Sequence, residues 1–259
     1  MKTVTATRYL TPLREGGSLP AIMEADDGEL YVVKFIGAGQ GPKALIAELI
    51  AGEIGRTLGL RVPEIALINF DPVIGRSEPH EEIQDLLKAS AGLNLGLRYL
   101  PEAFAFNLLL KPPPDPTAAS EIVWFDAYVT NVDRTPRNVN LLIWHDDLWL
   151  IDHGAALYFH HAWDNYLERS LTPFALIKDH TLLSFAADIA AADARLRPLL
   201  TAETLRAIVN LIPAAWLSDE DAFANPQAHR EAYITYLLNR LDHAAIFVEE
   251  AQLARTKLV

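Results

Sequence analysis

Apolar residues follow two rhythms along the chain. Up to about residue 100, short apolar runs dominate and turn residues break them. Leu19 to Ala25 and Leu30 to Ile36 flank Asp26-Asp27-Gly28, and an Asp-Gly step between apolar runs predicts a tight hairpin. The period then lengthens. Leu45, Leu49, Ile50, Ile54 and Leu58 recur mostly three and four residues apart, which predicts a helix over 43–58. Gly59 stops it and Pro63 follows. Residues 64–70 predict another strand, 79–89 a short surface helix, and 93–100 a strand closed by Pro101.

Pro112-Pro113-Pro114, followed by Asp115-Pro116, predicts a connector, because proline resists helix and donates no backbone hydrogen bond. Residues 118–129 read as a helix. Leu141 to Trp144 and Leu148 to Ile151 read as a short hairpin around His145-Asp146-Asp147. From about Trp163 the pattern is nearly all helical, most clearly at 196–200, 204–212 and 226–254. Asn225-Pro226 has the form of an N-cap followed by proline at the first helical position. In the helix that follows, Tyr233, Leu237, Leu241 and Ala245 share one stripe, of which Tyr233, Leu237 and Leu241 are expected to face the core. The order predicts an α+β fold. A small lobe over 1–100 would carry an antiparallel sheet and one helix, and a larger, mainly helical lobe would cover 101–259. A crevice between two lobes is a common ligand site.

Composition narrows the chemistry. The chain has 259 residues, a net charge of −12 and no cysteine. Disulfides, thiolate catalysis and Cys-ligated zinc are thereby excluded. The absence of cysteine fits a reducing cytoplasm. No apolar run is long enough to span a bilayer, and the N-terminus lacks the apolar stretch of a signal peptide. A cytoplasmic protein is expected. The acidity argues against binding a nucleic-acid polymer but leaves a nucleotide open. Most of it lies beyond residue 100, which points to a basic acceptor surface.

Four features place charge where apolar neighbours make it costly. Lys34 shares a strand face with Val32 and Ile36, so it needs a partner or a wet cleft. Glu48, on the helix just downstream, is a candidate partner, and Glu53 a competitor; otherwise Lys34 snorkels at a sheet edge. A strand lysine paired with a helix glutamate is how protein kinases hold ATP phosphates. The third feature is Asn131-Val132-Asp133-Arg134-Thr135-Pro136-Arg137-Asn138, where Asp133 and Asn138 have D-x-x-x-x-N spacing. A carboxylate there accepts the proton of a hydroxyl, and an amide oxygen suits Mg²⁺. The same residue types also favour a plain turn. The fourth is Leu150-Ile151-Asp152-His153-Gly154, an aspartate ending an apolar strand in D-x-G form, with His153 in place of phenylalanine. The short hairpin between them would let Asn138 and Asp152 reach one metal.

Together these segments resemble the HipA-like branch of the protein-kinase-like superfamily over roughly residues 8–160. Asn131-Val132-Asp133-Arg134 with Asn138 is similar to its N-x-D-R-x-x-x-N loop. Lys43 to Pro63, with Glu48 and Leu58-Gly59-Leu60, is similar to its N-lobe helix and exit. Asp152-His153-Gly154 resembles the D-x-G of phosphatidylinositol 3- and 4-kinases. The resemblance implies a bilobed kinase that uses ATP and Mg²⁺. Lys34 would bind phosphates, with Glu48 orienting it. Asp133 would be the catalytic base, and Asn138 and Asp152 would ligate Mg²⁺. Leu100 to Ala103 would form the adenine-facing hinge. The implied acceptor is a protein Ser/Thr hydroxyl, and some relatives have an antitoxin partner. A small-molecule or phosphoinositide-type kinase, a nucleotide-binding pseudokinase and a helical interaction protein are the alternatives.

Gly16-Gly17-Ser18 lies where a kinase phosphate loop belongs. Gly37-Ala38-Gly39-Gln40-Gly41 is a second glycine-rich loop, but Pro42 spoils a dinucleotide fingerprint. Arg134, grouped with Asp133 as catalytic, and Arg137 are expected to offset phosphate charge. His153, His160 and His161 are near one another in sequence, but adjacent histidines do not match zinc-site spacing.

Overall fold

The computed structural model describes residues 1–13, 18–109, 111–218 and 220–258. Its first region contains β1 (Lys2–Pro12), β2 (Ala21–Ala25), β3 (Leu30–Lys34), α1 (Pro42–Thr57), β4 (Ile65–Phe70), α2 (Glu81–Ala89) and β5 (Gly92–Arg98). The strands close into a barrel in the order β1-β2-β3-β5-β4. β1 runs parallel to β4, pairing Lys2 with Ala66 through Thr5 with Asn69, and the other pairings are antiparallel. The expected antiparallel sheet is thus corrected to a closed barrel with one parallel pair, while α2 falls where a short surface helix was expected over 79–89. β1 supplies the missing side. Val4 and Ala6 point inward while Thr3, Thr5 and Thr7 point out, so one face is apolar and the sheet has no free edge.

The second region begins with β6 (Phe104–Ala105) and α3 (Pro116–Val129). A hairpin of β7 (Leu141–Trp144) and β8 (Asp147–Leu150) follows, with β6 on its edge. The remaining helices are α4 (Tyr166–Ser170), α5 (Ile189–Leu196), α6 (Ala202–Val209), α7 (Pro226–Asp242) and α8 (Ala245–Thr256). Asp115 caps α3 by accepting from the amides of Thr117 and Ala118, and Asn225 caps α7 through Ala228. Less of this region is α-helical than its sequence predicts, because 171–188 holds only a 3-10 helix at Ala175–Asp179 among turns and irregular chain, and 197–199 is a single 3-10 turn. The long helix expected over 226–254 breaks at His243-Ala244. The break sets Phe247 of α8 against Trp124 and Tyr128 of α3, with ring centroids 5.7 and 6.1 Å apart. Tyr233, Leu237 and Leu241 do face the core. Among the described residues, no helix is long and apolar enough to cross a membrane.

Two apolar cores result. The smaller fills the barrel with Val4, Met23, Tyr31, Val33 and Ile68, and α2 adds Ile83 and Leu87. The larger unites α3 and the later helices and also takes in α1. Leu45, Ile46, Leu49, Ile50 and Ile54 of α1 are at most 1% exposed. Two glycines permit this close seat. A Cβ on Gly52 would lie 2.5 Å from Ile65 Cδ1, and one on Gly55 would lie 3.0 Å from Val62 and 3.5 Å from Phe125 of α3. Helix α1 therefore belongs by sequence to the barrel region and by packing to the helical core.

Candidate active site

Lys34 ends β3. Tyr31 and Val33 point into the barrel, so strand alternation turns Lys34 out of it toward α1. Its Nζ donates to Glu48 Oε2 and, at 2.6 Å, to Asp152 Oδ1 just beyond β8. Glu48 is completely buried, and its remaining partners come from His153. The His153 amide donates to Oε2 at 2.8 Å, and its ring Nδ1 lies 3.2 Å from Oε1. Burial works against the charge on Lys34, but Glu48 and Asp152 outweigh it and hold the ammonium above its ordinary range. Burial likewise works against ionised Glu48, but Lys34 and His153 outweigh it and keep the carboxyl well below the usual range. Both groups are charged at neutral pH. Asp152 adopts a left-handed backbone (φ 56°), which aspartate tolerates better than most residues, and its side chain is 44% exposed. Glu53 instead lies 3.7 Å from Arg56, elsewhere on the helix.

The loop after α3 is a turn, and the turn builds the second half of the site. Thr135 and Asn138 exchange backbone hydrogen bonds of 3.0 and 3.1 Å around Pro136-Arg137. This sets Asn138 beside Asp133, and Asn138 Nδ2 donates to Asp133 Oδ2 at 2.6 Å. The amide oxygen of Asn138 stays clear of that bond. Asp133 is half-buried, while Asn138 and Arg137 are exposed. Arg137 makes no ion pair among the described residues.

Behind this loop lies a charge network that sequence reasoning missed. Asp126, fully buried on α3, accepts from Arg134 Nε at 2.6 Å and from Asn131 Nδ2 at 2.9 Å. His180 Nε2 lies 2.9 Å from Asp126, while its Nδ1 accepts from the Leu182 amide, so Nε2 is the donor. Burial opposes the charge on Asp126, yet Arg134 and His180 keep its carboxyl well below the ordinary range. Arg134 Nη1 also donates to the carbonyls of Asn140 and Ile151. The expectation that Arg134 offsets phosphate charge is therefore corrected. It is 1% exposed and turned inward, where it fastens the loop to α3 and to the strand end that carries Asp152.

The structure thus joins Lys34, Glu48 and Asp152 directly, and Asp133 and Asn138 directly. The two sets connect through Arg134 and through the Ile151 amide, which donates to Asn140 O at 3.1 Å. Asn140 Nδ2 also lies 3.4 Å from Asp133 Oδ2. Ser18 occupies a half-buried turn before β2, while Gly16 and Gly17 lie outside the described residues. The second glycine-rich loop is tied down at its start, where the Gly37 amide donates to Ser90 Oγ at 3.1 Å. Asp152 and Asn138 offer oxygen donors, the kind a hard divalent cation takes. Among the described residues no three His, Cys, Asp or Glu side chains gather as a metal centre. An ion held here would complete its shell with water and substrate oxygens.

An ion-paired strand lysine, a D-x-x-x-x-N loop and a D-x-G segment on a barrel backed by helices define a kinase-type framework. The solved structure of the Helicobacter pylori proinflammatory kinase CtkA is similar to it, with a TM-score of 0.55 at 15% identity and 100% of both chains covered. That likeness shows the fold. The family model described as HipA-like kinase matches residues 7–249, and the chain belongs to that family. No curated protein sequence matches.

Proposed function

We propose that this protein is a bilobed phosphotransferase that uses ATP and Mg²⁺, with a protein Ser/Thr hydroxyl as acceptor. The observation that carries the reading is Lys34, shared between Glu48 and Asp152 across 118 residues of chain. Lys34, held by Glu48, meets the phosphates, and the Ser18 hydroxyl adds a donor to them. Residues 1–100 form the nucleotide lobe and 101–259 the lobe with the catalytic loop, with Leu100 to Ala103 as hinge. Asp133 takes the acceptor's hydroxyl proton while that oxygen bonds to the γ-phosphorus and the bond to ADP breaks. Asn138 and Asp152 hold the metal, which when bound offsets negative charge on the phosphates. Asn138 and Asn140 orient the Asp133 carboxylate. The exposed Arg137 stands where a charged substrate approaches.

Asp133→Ala should lower transfer from labelled ATP by roughly 10²- to 10⁴-fold, with an unchanged melting temperature. Wild-type rates in that variant would remove Asp133 from the role. The D-x-G form of Asp152-His153-Gly154 favours a phosphoinositide-type acceptor as second reading. Parallel assays on basic proteins and on phosphoinositide vesicles separate the two.

A further inference from the structure

His153 occupies the position between Asp152 and Gly154, and its ring is buried against Phe125, with centroids 5.7 Å apart at 76°. By packing alone a phenylalanine would serve better there. The imidazole Nε2 is buried and has no hydrogen-bond partner among the described residues, which is unfavourable for a polar atom. A polar ring kept at such cost points to work done by its other nitrogen.

That nitrogen faces Glu48. Lys34 and the His153 amide both address Oε2, and His153 Nδ1, at 3.2 Å, is the partner of Oε1. Glu48 is ionised and can only accept, so Nδ1 must carry the proton. Without the ring, a carboxylate oxygen would lie buried with no donor. The contacts also close a circuit. Lys34 holds Glu48, Glu48 holds His153, His153 is bonded in the chain to Asp152, and Asp152 holds Lys34.

We infer that His153 is a positioning residue whose Nδ1–H bond to Glu48 locks the lysine–glutamate pair of β3 and α1 to the Asp152 segment. It touches neither nucleotide nor acceptor and acts through Glu48. This rests on the phosphotransferase reading above. It predicts that Glu48 cannot leave Lys34 without also disturbing Asp152, so phosphate contacts and metal ligation are lost together.

The test pairs two substitutions. His153→Phe keeps the ring's bulk against Phe125 and removes the donor. His153→Asn places an amide N–H near the position of Nδ1 and loses the bulk. Steady-state transfer should show kcat/KM for ATP falling roughly 10- to 100-fold in His153→Phe, with His153→Asn within about threefold of wild type. Wild-type behaviour of His153→Phe, or equal damage in both variants, would reduce His153 to packing and overturn the inference. A second readout needs no activity. In ¹⁵N-histidine-labelled protein, the resonance pair that vanishes in His153→Phe or His153→Asn should show a proton on Nδ1 and a bare Nε2. A proton on Nε2 alone would overturn the inference even if neither variant were active. If wild type transfers no phosphate yet shows the Nδ1–H signature, the function reading fails and the clamp stands.

Discussion

The two ends of the site are built in opposite ways. At the Lys34 end the central pair is buried, with the Glu48 side chain 0% and the Lys34 side chain 11% exposed, and Asp152 is the partner that reaches solvent. At the Asp133 end the groups are half-buried or exposed, and they rest on one another within a short turn. On the phosphotransferase reading proposed above, the contrast follows from what each end must admit. A phosphate can be met by a lysine reaching from a closed interior, but an acceptor hydroxyl must come to its base from solvent. The open end gets its firmness from behind, where Arg134 and Asp126 are as buried as Lys34 and Glu48. Each end therefore has a buried ion pair as its foundation, and on that reading the two differ in whether the pair is itself the working group.

The largest test of this contrast is Arg134→Ala. It strands the Asp126 carboxylate in the core with only His180 and Asn131, and removing one partner of a buried pair costs about 3–5 kcal/mol. Thermal unfolding should show a Tm lower by on the order of 10 °C. Arg134→Lys should recover little, because a single ammonium cannot reach Asp126 and two carbonyls together. A Tm within about 2 °C of wild type would mean that the loop stands without its foundation.

Next in size is the Lys34 pair. Glu48→Gln keeps the shape but removes the charge, while Lys34 retains Asp152 at 2.6 Å. A stability loss of about 1–3 kcal/mol is expected. Lys34→Met combined with Glu48→Gln should cost less than the two changes added, by about 0.5–3 kcal/mol, as for residues in one network. Strict additivity in urea melts would dissolve the pair as an energetic unit.

The same contrast explains what could be read from sequence. Lys34 and Glu48 were visible because each interrupts an apolar pattern. Asp126 interrupts Trp124-Phe125 and Ala127-Tyr128-Val129 in the same way, and that test applied along α3 would have exposed it. His180 carried no such signal, because it lies among turn residues and meets Asp126 only through tertiary packing. Arg134 was visible but misdirected, since a motif gives a residue's position and not the side to which it turns. The alternation Thr3-Val4-Thr5-Ala6-Thr7 marks β1, a strand that was not predicted from the sequence, and its parallel pairing with β4 carried no signal, because register between distant strands is a tertiary fact. The break at His243-Ala244 has neither glycine nor proline to mark it, and docking on α3 imposes it.

Acid should undermine the helical region before it reaches either buried ion pair. Burial, with His161 and Lys43 nearby, holds His160 well below the ordinary histidine value of 6.5, and burial also lowers His229 and His161. The unfolded chain takes up these protons near its ordinary value and the native chain resists them, so stability rises with pH across this window. Tm should therefore begin to fall as pH drops below about 6.5. Asp126 and Glu48, held low in the native state, contribute stability that is lost only at more acidic pH, below the ordinary carboxylate values of 3.8 and 4.5. His160→Asn should flatten the first phase and leave the second. A profile flat down to pH 4.5 would show that the buried histidines do not resist protonation.

The smallest effect on stability, and the one that sharpens the contrast most, belongs to Asn138. Its 2.6 Å bond to Asp133 lies in an exposed turn, where Thr135 and the backbone already define the chain path. Asn138→Ala should change stability by no more than about 0.5 kcal/mol, the range of surface substitutions. Transfer should nevertheless fall by on the order of 10²-fold, because Asp133 loses the contact that aims it and the proposed metal loses an oxygen ligand. Asn138→Asp sharpens the point by setting a second carboxylate beside Asp133, and like charges at that distance resist ionising together. The pH at which transfer is half-maximal should then rise, with little change in Tm. If either variant instead melted as early as Arg134→Ala, the open end would be part of its own foundation, and the division between working groups and buried supports would not hold on this side of the site.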